Sequence, residues 1–87
     1  LYLLDEPENS LAPARQLELA GFLQDAARFF GCQLVIATHS PFLLAMQGAK
    51  VYDLDADPPR PRRWTELENV RAYRQFFADH AAAFETD

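Results

Sequence analysis

The chain opens on Leu1-Tyr2-Leu3-Leu4, an apolar run without alternation that ends on the adjacent acids Asp5 and Glu6 and is stopped by Pro7. Uninterrupted apolarity marks a central strand covered on both faces, as in the parallel sheets of α/β proteins. A second such run, Gln33 to Thr38 with Leu34, Val35 and Ile36 at its centre, ends in Thr38-His39-Ser40. Between the two, Pro13 suits the first helical turn, where its missing N–H costs nothing. Leu19, Phe22, Leu23, Ala26 and Phe30 recur at helical spacing, and Gly31 fits the left-handed position just past a helix end. Strand, helix and strand in so short a stretch form a βαβ unit, whose strands run parallel. The polar tips of both strands therefore reach the same carboxyl edge, where open α/β sheets bind ligands.

The remainder reads more loosely. Pro41 begins a short helix to about Met46, Gly48 ends it, and Lys50 to Leu54 reads as a third strand. Residues 55–63, with Pro58, Pro59 and Pro61, carry no regular hydrophobic period and read as a loop. From Thr65 the chain turns helical, with Leu67, Val70, Tyr73 or Arg74, and Phe77 in a 3.6-residue rhythm and Thr65 and Glu68 spaced as a capping box. His80 and Ala81-Ala82-Ala83-Phe84 extend that helix or add one turn. Phe22, Phe29, Phe30, Phe42, Phe76 and Phe77 read as core, and Trp64 as a loop anchor. The expected class is α/β: parallel strands in a βαβ arrangement followed by a C-terminal helix.

Composition narrows the function. The 87 residues are 49% hydrophobic, enough for one small globular domain. A net charge of −5 argues against a broad nucleic-acid surface, which needs clustered Lys and Arg. The one basic cluster, Arg60-Pro61-Arg62-Arg63, reads as a solvated loop. Cys32 is the single cysteine, so an intrachain disulfide and a cysteine zinc site are both excluded. Asp53, Asp55 and Asp57 alternate, but they lack the glycine and terminal glutamate of a calcium loop. No stretch is apolar for long enough to span a bilayer, which makes a cytoplasmic setting the expectation.

Four apolar residues followed by Asp-Glu is the Walker B pattern of phosphate-loop NTPases, in which the aspartate holds magnesium against the β- and γ-phosphates of ATP. Asp5 takes that position. Glu6, directly after it, is placed to act as general base toward an attacking water. His39, at the tip of the neighbouring strand, is suited to donate to the γ-phosphate, an electrostatic role in phosphoryl transfer. The bland alternative is that Asp5 and Glu6 form a solvated turn and His39 a surface group; their pairing at βαβ spacing favours chemistry.

Asp5-Glu6-Pro7-Glu8-Asn9-Ser10-Leu11-Ala12-Pro13 together with Ala37-Thr38-His39-Ser40-Pro41 resembles the Walker B, D-loop and switch-histidine segments of ABC-type ATPases. The likeness is to the branch that holds soluble stand-alone ATPases and the chromosome-maintenance and DNA-repair enzymes. It is strong to about residue 54 and looser over residues 64–87. It implies a partial P-loop NTPase fold in which residues 1–13 are the Walker B segment and D-loop, 33–41 the switch-histidine strand and loop, and 64–87 the C-terminal helical segment. It further implies ATP and Mg2+ as cofactors, a homodimer through the D-loop, and Asn9 and Ser10 close to the nucleotide across that interface. A DNA or protein partner is compatible with it. Ala12 departs from the pattern, since transporters usually carry an aspartate there.

No Gly-x-x-x-x-Gly-Lys-Ser/Thr loop, glutamine loop or Leu-Ser-Gly-Gly-type signature occurs in these residues. Those elements supply the N–H cradle and the lysine that hold the phosphates. The expectation is the C-terminal half of one ATPase domain, residues 1–87, inactive alone and partnered by an N-terminal half that carries the phosphate loop. The alternative is a non-catalytic interaction or dimerisation module. An opening strand with unpaired edges predicts a marginally stable or associating chain.

Overall fold

The computed structural model describes residues 1–85; Thr86 and Asp87, the last two of the 64–87 segment, lie outside the described residues. The chain forms two compact units, Leu1–Ala49 and Lys50–Asp87.

In the first unit, strand β1 (Tyr2–Asp5) is followed by helix α1 (Pro13–Phe29), strand β2 (Leu34–Ala37) and the single-turn helix α2 (Pro41–Leu44). The strands pair in parallel, with Tyr2 opposite Leu34, Leu4 opposite Ile36 and Asp5 opposite Ala37. The architecture is thus α/β with the expected βαβ unit. Alternation along the strands sends Leu4, Leu34 and Ile36 inward, where they meet buried Ala20, Leu23 and Leu43 together with Leu19 and Met46. Leu43 is the anchor at 1% exposure, a burial that contributes about 1.5–3 kcal/mol. The opposite face of the sheet is open: Leu3 is 72% and Val35 53% exposed. The strands are therefore covered on one face among the described residues, where the sequence predicts both.

Helix α1 starts at Pro13 with Ala12 as N-cap, and the chain leaves it through Gly31 at φ +66°. That backbone suits glycine, which has no Cβ to clash. Phe22, Phe29 and Phe30, expected in the core, are exposed. At 3.6 residues per turn, Gln16, Leu19, Ala20 and Leu23 share the sector facing the sheet, while Phe22 lies beside it and Phe30 is already past the helix end. Helix α2 is capped by Ser40, whose hydroxyl accepts the Leu43 N–H, with Pro41 in its first turn.

The second unit corrects two readings. Residues 60–62 are not loop but strand β4 (Arg60–Arg62), antiparallel to β3 (Val51–Asp53), with Pro61 opposite Tyr52. Two-residue alternation is invisible in Arg-Pro-Arg, and proline is tolerated because a two-stranded ribbon consists of edges. Arg62 lies 3.4 Å from Asp53 across the pair, which gives that one of the alternating acids a structural use. The Thr65–Glu68 box does not form either. Instead the Arg63 N–H donates to the Glu66 carboxylate at 3.0 Å, at the head of the one-turn 3-10 helix Trp64–Glu66. That backbone hydrogen bond, with the Arg63 guanidinium beside it, holds the Glu66 carboxyl below its ordinary value.

Helix α3 (Glu68–Asp79) follows with Leu67 as N-cap, and a second 3-10 turn occupies Ala81–Phe84. Leu67 and Val70 are buried, but Phe76 and Phe77 are half exposed. They belong to an aromatic ladder in which Phe76 stacks on His80 at 4.3 Å and meets Phe77 edge-on at 5.3 Å. Among the described residues, no helix is long and apolar enough to cross a membrane.

Candidate functional site

The carboxyl tips of β1 and β2 come together in the first unit, and the ladder itself does the positioning. The Glu6 N–H donates to the Ala37 carbonyl at 2.7 Å, one bond beyond the last paired residue of β1. The backbone then turns sharply off the sheet at Glu6, with φ +47°. This turn lifts the Glu6 side chain toward the end of β2. There its Oε1 lies 3.2 Å from Nδ1 of His39.

A carboxylate oxygen only accepts, so Nδ1 donates in this contact, and Nε2 is the ring's acceptor when neutral and a second donor when protonated. The other carboxylate oxygen of Glu6 accepts from the Asn9 side-chain amide at 3.4 Å. Both oxygens of one carboxylate are thereby held by groups that the sequence singled out. Exposure of the pair remains substantial, 41% for the Glu6 side chain and 81% for that of His39, so a ligand can reach it.

The turn after Glu6 has its own supports. The Asn9 N–H donates to the Glu6 carbonyl at 3.1 Å and the Leu11 N–H to the Glu8 carbonyl at 2.9 Å. Ser10 sits at φ +69°, a left-handed position that costs a non-glycine residue about 1–2 kcal/mol. Asn9 and Ser10 are exposed on this turn, as is Asp5 at the strand tip. Among the described residues no cluster of three or more His, Cys, Asp or Glu side chains could hold a metal ion. Asp5 by itself still fits magnesium, which takes one or two carboxylates and completes its shell with water and phosphate oxygens.

Two residues to which the sequence assigned no role of their own link the site to α1. Ser40 is buried at 5% exposure, and its hydroxyl donates to Oε1 of Gln16 at 2.6 Å. Gln16 in turn donates through Nε2 to the Leu11 carbonyl at 2.9 Å. The Ser40 N–H donates to the Thr38 hydroxyl at 3.0 Å, which shapes the backbone around His39. A signal for Gln16 was available: it is a polar residue at the spacing of Ala20 and Leu23, inside the buried sector of α1.

Residues 1–45 match the sequence profile of a family described as "AAA domain, putative AbiEii toxin, Type IV TA system". No curated protein and no solved structure matches the chain.

Proposed function

The chain belongs to this AAA-domain family, and on that premise we propose that it carries the metal and water side of an ATP-hydrolysing site of the ABC type. The observation that carries the reading is the 3.2 Å contact between Glu6 and His39 across two parallel strand tips. A base next to a metal-binding acid, steadied by a histidine, suits water attack on a terminal phosphate.

In this reading Asp5 would hold magnesium, which supplies charge neutralisation at the β- and γ-phosphates when bound. Glu6 orients the attacking water and accepts its proton as the new O–P bond forms; ADP leaves with the electron pair of the broken bond. His39 keeps the Glu6 carboxylate aimed and, with its ring protonated, donates through Nε2 to the phosphoryl oxygens. Asn9 steadies the second oxygen of Glu6. Through the exposed turn that bears them, Asn9 and Ser10 meet a second copy and the nucleotide it holds. A segment bearing a phosphate loop completes the site, since these residues supply none. The setting is cytoplasmic.

The absence of a phosphate loop from the sequence favours one other reading, a non-catalytic dimerisation module. ATP turnover separates the two. The 87-residue chain alone is expected to show none. Joined to a phosphate-loop segment it is expected to hydrolyse ATP, and Glu6→Gln to lower kcat by about 10²–10⁴-fold while nucleotide binding persists. Turnover in the joined protein that survives both Glu6→Gln and His39→Ala would leave only the module.

A further inference from the structure

Gln16 contributes one planar amide, and both of its ends are used. Its Nε2 donates to the Leu11 carbonyl at 2.9 Å, and its Oε1 accepts from the Ser40 hydroxyl at 2.6 Å. A carbonyl oxygen cannot donate, so only the amide nitrogen can face Leu11, and this turns the amide oxygen to Ser40. Ser40 is satisfied on its other side as well, since its oxygen accepts the Leu43 N–H. Leu11 closes the turn that bears Asn9 and Ser10, and Ser40 directly follows His39. The base of this bridge is stiff, because α1 is fixed by Ala20 and Leu23 in the core.

We propose that Gln16 is a positioning residue that couples the Asn9–Ser10 turn to the His39 tip, so that a displacement of that turn carries over to the Glu6–His39 contact. The assignment of chemistry to that contact rests on the ATPase reading; the coupling is a property of this chain alone. A planar amide cannot follow one partner without rotating away from the other. The Ser40 bond is part-buried and the Leu11 bond exposed, so the amide is held chiefly at Ser40 and its plane carries that orientation to the Leu11 carbonyl.

Backbone amide spectra of the full chain test the coupling without nucleotide. Ser40→Ala is expected to shift the amide of Ala12, whose peptide unit contains the Leu11 carbonyl, and in a Gln16→Met background that shift is expected to vanish. Gln16→Glu keeps an acceptor for Ser40 but turns a carboxylate oxygen toward the Leu11 carbonyl. Its Ala12 resonance should therefore move away from the wild-type position at neutral pH and return as acid protonates the new carboxyl, which can then donate. This second variant keeps the test decisive where Gln16→Met fails to fold. A Ser40→Ala shift of equal size in both backgrounds, no shift in the wild type, or no return in acid overturns the proposal.

In the protein joined to a phosphate loop, Gln16→Met is expected to lower kcat by about 2- to 30-fold with KM unchanged. A rise in KM with unchanged kcat overturns the link to catalysis. If the spectra show coupling while Glu6→Gln leaves turnover intact, the ATPase reading fails and the coupling stands. If Glu6→Gln abolishes turnover and the spectra show no coupling, the reverse holds.

Discussion

Glu6 is a residue on which three local requirements coincide. Its N–H continues the strand ladder, its left-handed φ breaks the strand, and its carboxylate meets both His39 and Asn9. A substitution there changes backbone and chemistry together. For this reason Glu6→Gln is a cleaner probe than Glu6→Ala, since it preserves shape. The glutamine oxygen still accepts from His39 but cannot take a full proton. Asp5 permits a different measurement. Asp5→Ala is expected to raise the magnesium concentration for half-maximal turnover in the complete site by more than about tenfold, because even losses behind a ligand cost 10–100-fold. A magnesium titration of turnover checks this. Unchanged magnesium dependence would remove Asp5 from the metal role.

At the scale of elements, packing in the first unit hinges on Leu43. A single turn of helix, α2, is anchored by this buried side chain and capped by Ser40. Leu43→Ala is expected to cost about 2–5 kcal/mol in denaturant unfolding, the usual range for a leucine deleted from a core. In the second unit the head of the 3-10 turn carries a titratable support. The folded state holds the Glu66 carboxyl below its ordinary value, chiefly through the Arg63 N–H. Its contribution is therefore present above the unfolded carboxyl's titration and is lost as pH falls through the lowered folded value. The protection factor of the Arg63 amide, exchange being referred to its intrinsic rate at each pH, should fall through that acid range in the wild type and lose its pH step in Glu66→Gln.

The same elements explain how far the sequence could be read. The parallel strands, α1, and the grouping of Glu6 with His39 were legible because long periodic runs and a strand-tip acid pair are local signals. β4 was not, because three residues with a central proline carry no pattern until a partner strand supplies one. The bridge through Gln16 was missed for a related reason. Its inward position on α1 was readable from the spacing, but its two partners lie on different loops, and only folding shows which groups it joins.

For the whole molecule, the exposed sheet face sets solution behaviour. Leu3 and Val35 form part of an apolar surface that the described residues leave open, and such faces promote association. Leu3→Lys with Val35→Lys is expected to raise the monomer fraction in sedimentation experiments while leaving far-ultraviolet circular dichroism unchanged. The same face has a consequence for alignment. Tyr2, Leu3 and Leu4 are interchangeable as apolar residues, so β1 by itself does not distinguish its inner side from its outer side. Sliding it by one residue would exchange Leu3 for Leu4 at little hydrophobic cost, yet it would carry Glu6 about 3.3 Å along the strand, as far as its whole reach to His39. The polar end thus acts as the strand's index mark: the groups proposed to meet a ligand also tell the sheet where to begin.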